Sequence, residues 1–555
     1  RELMRLGRPK DAVEAGVRYL KRYPRKNALE LPYARALQLA GRNRDCVDFL
    51  ATVNILPSEF GDDAHAIWAD AWRALGNENK AREYPENLGA GAPYQTADAE
   101  SDTGAETVDA ARQYTADWDS LNLRPTPAWW TEAKFGIFVH WGVYSVPAYA
   151  PVDKESLDMC YCYAEHYQHR LLQKIPAFLD FNAKFNAGRP YGDFVAEFKA
   201  EHFDAAKWAD LFRRAGAKYA VLTAKHHDGF ALWPTKAGGH FNSWDAGPRR
   251  DICREFTDAM RTAGLKAGFY YSLVEYGNAQ WENTETRDAF VRNVNLVQLK
   301  ELAADYGADV IWPDGDWMAS DETFRSRDYL VWLYNESPVR QTVVVNDRWG
   351  KGGRGRNGGH YTTEYGFEVG EIGDGEKGRA TAAHPWEECR GLGLSFGYNR
   401  FERATDYLTA GECVRLLVRV AAGGGNLLLN IGPDRHGFVP PIMEDRLLEI
   451  GRWLDVNGEA IYGTTRWRKS PGDAKMNAGD LFFTEKGSVV YAIATRWPTA
   501  AFRVEGVRNV ASVTLLGSDA KVDWTAEPDA LTITPPTVNP GNAPCDHAWT
   551  FKISL

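Results

Sequence analysis

The chain has 555 residues, room for two to four ordinary domains, and a formal net charge of −10 with both signs mixed along its length. That balance argues against nucleic acid or an anionic membrane surface as the main partner. No apolar run reaches about 18 residues, which excludes a membrane-spanning helix. Seven cysteines, with only Cys160 and Cys162 close together, make neither a disulfide framework nor a zinc spacing, so mostly free buried thiols are expected. The 20 tryptophans, 25 tyrosines and 25 phenylalanines suit a large core and also a protein that stacks on sugar rings. No signal peptide is visible from Arg1, and the compartment is not legible.

Residues 1–90 are rich in Ala, Leu and Arg with helical spacing. Glycines open similar stretches at Gly7, Gly41 and Gly76, 34 and 35 residues apart. That period predicts tetratricopeptide-like helix pairs, able to bind a protein partner or to pack on the next domain; a plain helical cap is the alternative. Residues 91–114 read as a polar linker.

From 115 to 465 helices and short apolar strands alternate. Trp208, Leu211, Phe212 and Ala215 share one helical face that ends at Gly216, and the strand "YAVLT" follows. Ile252, Phe256 and Met260 repeat the pattern, end at Gly264 and lead into "AGFYYS". Two further units end in "DVIW" and "TVVVNDRWG". The polar landmarks His226, Tyr270, Asp314 and Asp347 fall 44, 44 and 33 residues apart. This spacing predicts an α/β fold with a parallel sheet, most simply a (β/α) TIM-like barrel whose chemistry sits at the C-terminal strand ends, with a doubly wound sheet as the alternative. No glycine-rich phosphate loop follows a strand, which counts against a nucleotide. Residues 466–555 carry short β-type runs split by Gly, Pro and Asp, and predict an antiparallel β-sandwich.

The stretch "KHHDGF" sets His226 and His227 beside Asp228. Three readings stand: a metal site, histidines satisfied by backbone partners, or a clamp for sugar hydroxyls, which a neutral imidazole can both donate to and accept from. Neighbours on a strand point to opposite faces, although a loop could bring the two together, and no HExxH or third clustered histidine follows, so hydroxyl binding is the favoured reading and no metal or other cofactor is expected. Asp228 would orient one imidazole or cap a following helix. In "IWPDGDW", Asp314 ends an apolar strand between Trp312 and Trp317, the position of a nucleophile; Asp316 is its rival. A glycosidase needs a second carboxyl group as acid/base. Glu364, Glu387 and Glu388 are available, and the residues alone do not choose.

The ordered set "AKFGIFVHWGVYSVPAYAP", "KHHDGFALW", "GFYYSL", "DVIWPDGDW", "VVVNDRWG", "CRGLGLSFGYNR" and "GGGNLLLNIGPDRHGFVPPI", from Trp129 to Trp467, resembles the α-L-fucosidases of glycoside hydrolase family 29. The resemblance implies a (β/α) barrel with a C-terminal β-sandwich, and metal-free, retaining hydrolysis of a terminal α-L-fucose on a fucosylated glycan; the alternatives are a galactoside-like glycosidase on the same scaffold and a non-catalytic carbohydrate-binding or scaffold protein, which would be expected to lose one carboxylate. It implies Asp314 as nucleophile and His140, His226, His227, Tyr270, Trp312 and Arg348 as the fucose-binding set. Glu364, in "TTEY" after "NDRWG", resembles the acid/base, with Glu387 as alternative. Trp312, Phe138 or Trp141 would cover the sugar methyl. The family's "EWY" is represented by "EHY", so Glu165 fits as a sugar contact while His166 replaces the tryptophan.

Overall fold

The computed structural model describes residues 112–152, 162–364, 384–467, 480–539 and 541–555, together with residues 13, 33, 34, 36–50, 67 and 69–75. The chain forms two compact units, one built on residues 1–95 and one holding nearly all of the rest. In the first, the helix Asn43–Leu50 and neighbouring helical residues bury Ala34, Leu37, Cys46, Val47 and Ala71 in a small apolar cluster. The full repeat over 1–90 and most of the linker lie outside the described residues.

The second unit begins with eight strands: β1 (Phe135–Val139), β2 (Tyr219–Lys225), β3 (Lys266–Ser272), β4 (Val310–Asp314), β5 (Val344–Val345), β6 (Thr362–Glu364), β7 (Trp386–Gly391) and β8 (Asn426–Ile431). They pair in the order β5-β4-β3-β2-β1-β8-β7-β6, every pair parallel. A single parallel bridge, Asn346 to Tyr361, joins the two edges. The sheet is therefore a closed barrel. β1, β2, β4 and β8 are buried along their whole length, which is why they read as continuous apolar runs rather than as alternations.

Helices cover the outside. In α1 (Ala205–Arg214) the Asp204 carboxylate accepts from the N–H groups of Ala206 and Lys207, both at 3.1 Å, and Trp208, Leu211 and Phe212 are buried. Gly216 follows at φ +84°, a left-handed residue of the kind that ends helices. α2 (Ile252–Thr262) buries Ile252, Phe256 and Met260. α3 (Leu296–Ala304), α4 (Ser326–Asn335), α5 (Ala410–Ala422) and α6 (Pro441–Asn457) continue the ring.

The C-terminal strands are β9 (Thr465–Arg466), β10 (Leu481–Lys486), β11 (Val489–Ala494), β12 (Phe502–Glu505), β13 (Ser512–Leu515), β14 (Asp523–Glu527), β15 (Ala530–Thr534) and β16 (Trp549–Ser554). They form a five-stranded sheet, β13-β16-β11-β10-β9, and a three-stranded one, β12-β15-β14, both antiparallel. Phe483, Val490 and Phe551 of the first and Val504, Leu531 and Ile533 of the second share one apolar core. The Trp453 indole of α6 donates to the Ala548 carbonyl at 2.8 Å, fastening this layer to the barrel's helical coat. The six cysteines among the described residues are free, five of them buried. No helix among the described residues is long and apolar enough to cross a membrane.

Candidate active site

Polar side chains gather at the C-terminal ends of β1 to β5. Asp314 is the last residue of β4 and is 8% exposed. Its Oδ1 accepts from Arg348 Nη1 at 2.8 Å and its Oδ2 from the Tyr270 hydroxyl at 2.8 Å. Arg348 also donates from Nε to Thr363 Oγ1 at 2.8 Å and lies over the Trp312 ring at 4.6 Å. The carboxylate is thus held by a cation and a phenol that are themselves fixed by packing. Behind Asp314 the chain turns sharply through Gly315 at φ +94°. A Cβ there would meet Val274 at 3.0 Å in a conformation that side chains rarely adopt.

Three imidazoles face this carboxylate or its neighbours. His140 follows β1, and its Nδ1 lies 2.6 Å from Asn430 Oδ1. Asn430 spends its amide N–H on the Phe396 carbonyl at 2.7 Å, so its oxygen accepts and His140 carries its proton on Nδ1. The same logic fixes His227. Its Nδ1 lies 2.6 Å from Ser272 Oγ, whose single proton goes to the Val274 carbonyl at 2.6 Å. Nε2 of both rings therefore presents a lone pair. His227 Nε2 stands 3.4 Å from the Tyr270 hydroxyl and 3.6 Å from Asp314 Oδ2. His226 stacks on Tyr270 with centroids 5.4 Å apart.

Burial lowers His140 to about 3 and His227 to about 4, against an ordinary 6.5, and pushes His226 well down. For a depressed histidine the unfolded chain takes up the proton first. The stability these rings contribute is complete above about pH 6.5 and drains away as pH falls toward 3 to 4. In selectively labelled protein the ring resonances of His140 and His227 should stay those of neutral imidazole from pH 8 down to 5. A titration midpoint near 6.5 for either ring would show that burial does not govern it.

The expectation that His226 and His227 point apart is not met. β2 ends at Lys225, and its pairing with β3 slips by one residue between Thr223 and Lys225, a bulge at Ala224. The alternation stops before the pair, and the two rings come within 4.4 Å of each other. A third histidine joins them. His166, beyond β1 in the chain, lies with its ring 5.7 Å from His226 and 5.4 Å from His227. Its neighbour Glu165 is buried, accepts from the Gly397 N–H at 2.8 Å and has its carboxyl raised by burial to about 7.

Some expected residues lie elsewhere. Trp141 turns outward from the strand end: its indole donates to the Asp434 carbonyl at 2.6 Å and its ring packs against Phe198, Phe203 and Trp208. It cannot cover a sugar beside His140, because the two side chains leave opposite faces. Phe138 and Trp312, 5.1 Å apart, line the barrel interior under Tyr270 instead. Asp228 orients neither histidine and caps no helix. It accepts from the Tyr191 hydroxyl at 2.6 Å and closes a turn onto the Phe230 N–H. Asp316 is buried and opens the short helix Asp316–Met318. Glu387, second residue of β7, is fully buried. Its Oε1 accepts from the Trp312 indole at 2.9 Å and its Oε2 from the Tyr219 hydroxyl at 2.5 Å. Burial raises its carboxyl to about 7. Glu364 closes β6, opposite Glu388 of β7; its side chain lies outside the described residues.

Asn430, Ser272 and Phe396 were not singled out from the sequence. Asn430 and Ser272 stand at or next to the last position of an apolar strand, "LLLNI" and "FYYS", and a polar residue at that place was the available signal. Phe396, 5.0 Å from His140, carried no such mark.

A family model described as Alpha-L-fucosidase matches residues 103–459, and one described as Alpha-L-fucosidase C-terminal domain matches residues 475–554. The chain is 39% identical over 459 residues to the tissue alpha-L-fucosidase of Rattus norvegicus, covering 80% of this chain and 93% of that one. It is 38% identical over 467 residues to the tissue alpha-L-fucosidase of Homo sapiens, covering 81% and 94%. Among solved structures, the Thermotoga maritima alpha-fucosidase in complex with fucose superposes with a TM-score of 0.64 at 32% identity, covering 80% of this chain and all of that one.

Proposed function

The chain belongs to the α-L-fucosidases of glycoside hydrolase family 29, and from that premise we propose that Asp314 and Glu364 divide the chemistry of its active site. The enzyme is an exo-acting, retaining α-L-fucosidase that removes terminal fucose from fucosylated glycans. Retention requires two displacements. Asp314 attacks the anomeric carbon while Glu364 gives its proton to the departing glycosidic oxygen. The bond to the aglycone breaks and a β-linked fucosyl ester of Asp314 forms. Glu364, now a carboxylate, takes a proton from water, the water attacks the same carbon, and the ester bond breaks to release α-fucose.

The observation that carries the assignment is the seat of Asp314. A carboxylate at a barrel strand's C-terminal end, oriented by Arg348 and Tyr270 at 2.8 Å each, is positioned before substrate arrives. The lone pairs of His140 and His227 accept from ring hydroxyls. For the acid/base, the environment of Glu387 favours Glu364. Both Glu387 oxygens are taken by Trp312 and by Tyr219, the first residue of β2 and so at the opposite end of the barrel. Glu364 follows the Thr363 that holds Arg348, the residue that orients Asp314.

Aryl α-L-fucoside and aryl β-D-galactoside, offered side by side, test the sugar specificity, and proton NMR of the first turnovers tests the stereochemistry. Hydrolysis of the fucoside with α-fucose as first product is expected. β-Fucose first would refute the double displacement, and faster turnover of the galactoside would mean that the pocket accepts a hydroxymethyl group where fucose has its methyl.

A further inference from the structure

His166, His226 and His227 each place one ligand nitrogen within 4.8 Å of the others. Nδ1 of His166 and Nδ1 of His226 are buried and have no hydrogen-bond partner. A buried polar atom without a partner is uncommon and asks for one. Nδ1 of His227 is engaged with Ser272, which leaves Nε2 as its free lone pair. A ring whose far nitrogen donates to a fixed oxygen is the usual form of a metal-binding histidine.

We propose that these three imidazoles form a site for a divalent transition metal of the zinc type, and that the ion and the fucosyl group exclude one another from this side of the pocket. The ligand chemistry fits. Neutral imidazole suits Zn²⁺, Cu²⁺ or Ni²⁺, whereas Mg²⁺ and Ca²⁺ want oxygen. Zinc–nitrogen bonds of about 2.0–2.1 Å in a tetrahedron put the nitrogens about 3.4 Å apart. The ligand nitrogens, within 4.8 Å of one another, must therefore draw inward by up to about 1.4 Å as an ion binds. Asp314 Oδ2, 3.6 Å from His227 Nε2, supplies a negative charge beside the ion. Binding would occupy the His227 lone pair that the sugar uses. The ion is an inhibitor here and takes no part in hydrolysis.

The test uses the untagged full chain, stripped with EDTA and titrated with Zn²⁺, with Mg²⁺ as control, by calorimetry and by inhibition of aryl-fucoside hydrolysis. Zn²⁺ is expected to raise KM without lowering kcat, to be displaced by excess fucose, and to be reversed by EDTA. Co²⁺ in its place should show the visible absorption of a tetrahedral site, bleached by fucose. His166→Phe and His166→Gln should each weaken the fucose-displaceable Zn²⁺ by ~100-fold or more, since loss of even an outer-shell partner costs about 10–100-fold. Each variant is compared with its own uninhibited rate. If one variant folds poorly, the other and the Co²⁺ spectrum decide. Inhibition that leaves KM unchanged, Zn²⁺ binding no tighter than Mg²⁺, or full Zn²⁺ affinity in a folded His166 variant would each overturn the proposal. None of these outcomes bears on the assignment of the double displacement to Asp314 and Glu364.

Discussion

Asp314→Gly is expected to lower the turnover of aryl α-L-fucosides by ~10⁴-fold or more, the scale seen when a covalent nucleophile is removed. The substitution opens space without removing the groups that held the carboxylate. Arg348 and the Tyr270 hydroxyl would both point into that space with their acceptor gone. A small anion is drawn to such a place, so azide should restore part of the rate. It would attack the anomeric carbon directly, and one displacement inverts: the product should be β-fucosyl azide. Proton NMR of the isolated product reads this out. Residual activity within about tenfold of wild type, or rescue that yields the α-azide, would remove Asp314 from the role of nucleophile.

Glu364→Ala should lose activity in a manner that depends on the leaving group. An aglycone that departs as a stable anion needs little protonation, so its first step survives and hydrolysis of the fucosyl ester becomes limiting. Poor leaving groups should lose ~10²–10⁴-fold, the usual worth of a general acid. Azide needs no general base, should speed the second step, and should give the α-azide. Glu387→Gln should behave differently. Two donors, the Trp312 indole and the Tyr219 hydroxyl, now meet carboxylate oxygens. An amide can keep its oxygen on the Trp312 indole and turn its NH₂ to the Tyr219 oxygen, which accepts, but the phenol's own proton then loses its acceptor. The cost is about 1–3 kcal/mol of stability, the penalty of one unsatisfied buried donor, with the leaving-group dependence unchanged. If instead Glu387→Gln shows the leaving-group signature and Glu364→Ala does not, the two roles are exchanged.

Much of this architecture was legible in the residues. Barrel strands buried on both faces announce themselves as apolar runs, and the amphipathic helices between them end at Gly216 and Gly264. Asp314 could be singled out because a carboxylate closing such a run has few structural reasons to be there. What failed were inferences that carried strand geometry past the end of a strand. His226 and His227 were expected to diverge, yet the bulge at Ala224 and the end of β2 at Lys225 released them to converge. Trp141 erred the other way: alternation does persist from His140 to Trp141, and it sends the tryptophan outward. Asn430 and Ser272 were missed because their work is to fix the tautomer of another residue, which depends on contacts 290 and 45 residues away in the chain. No local pattern encodes that separation. The gathering of His166 with the histidine pair is of the same kind.

Among the described residues the barrel closes through two residues of β5, three of β6 and one bridge. Asp314 stands in β4, which is bonded along its length to β3. A one-residue slip of β4 against β3 would turn the Asp314 carboxylate to the other face of the sheet, away from Arg348 and Tyr270, so the aim of this side chain is set by strand register rather than by the loop that follows it.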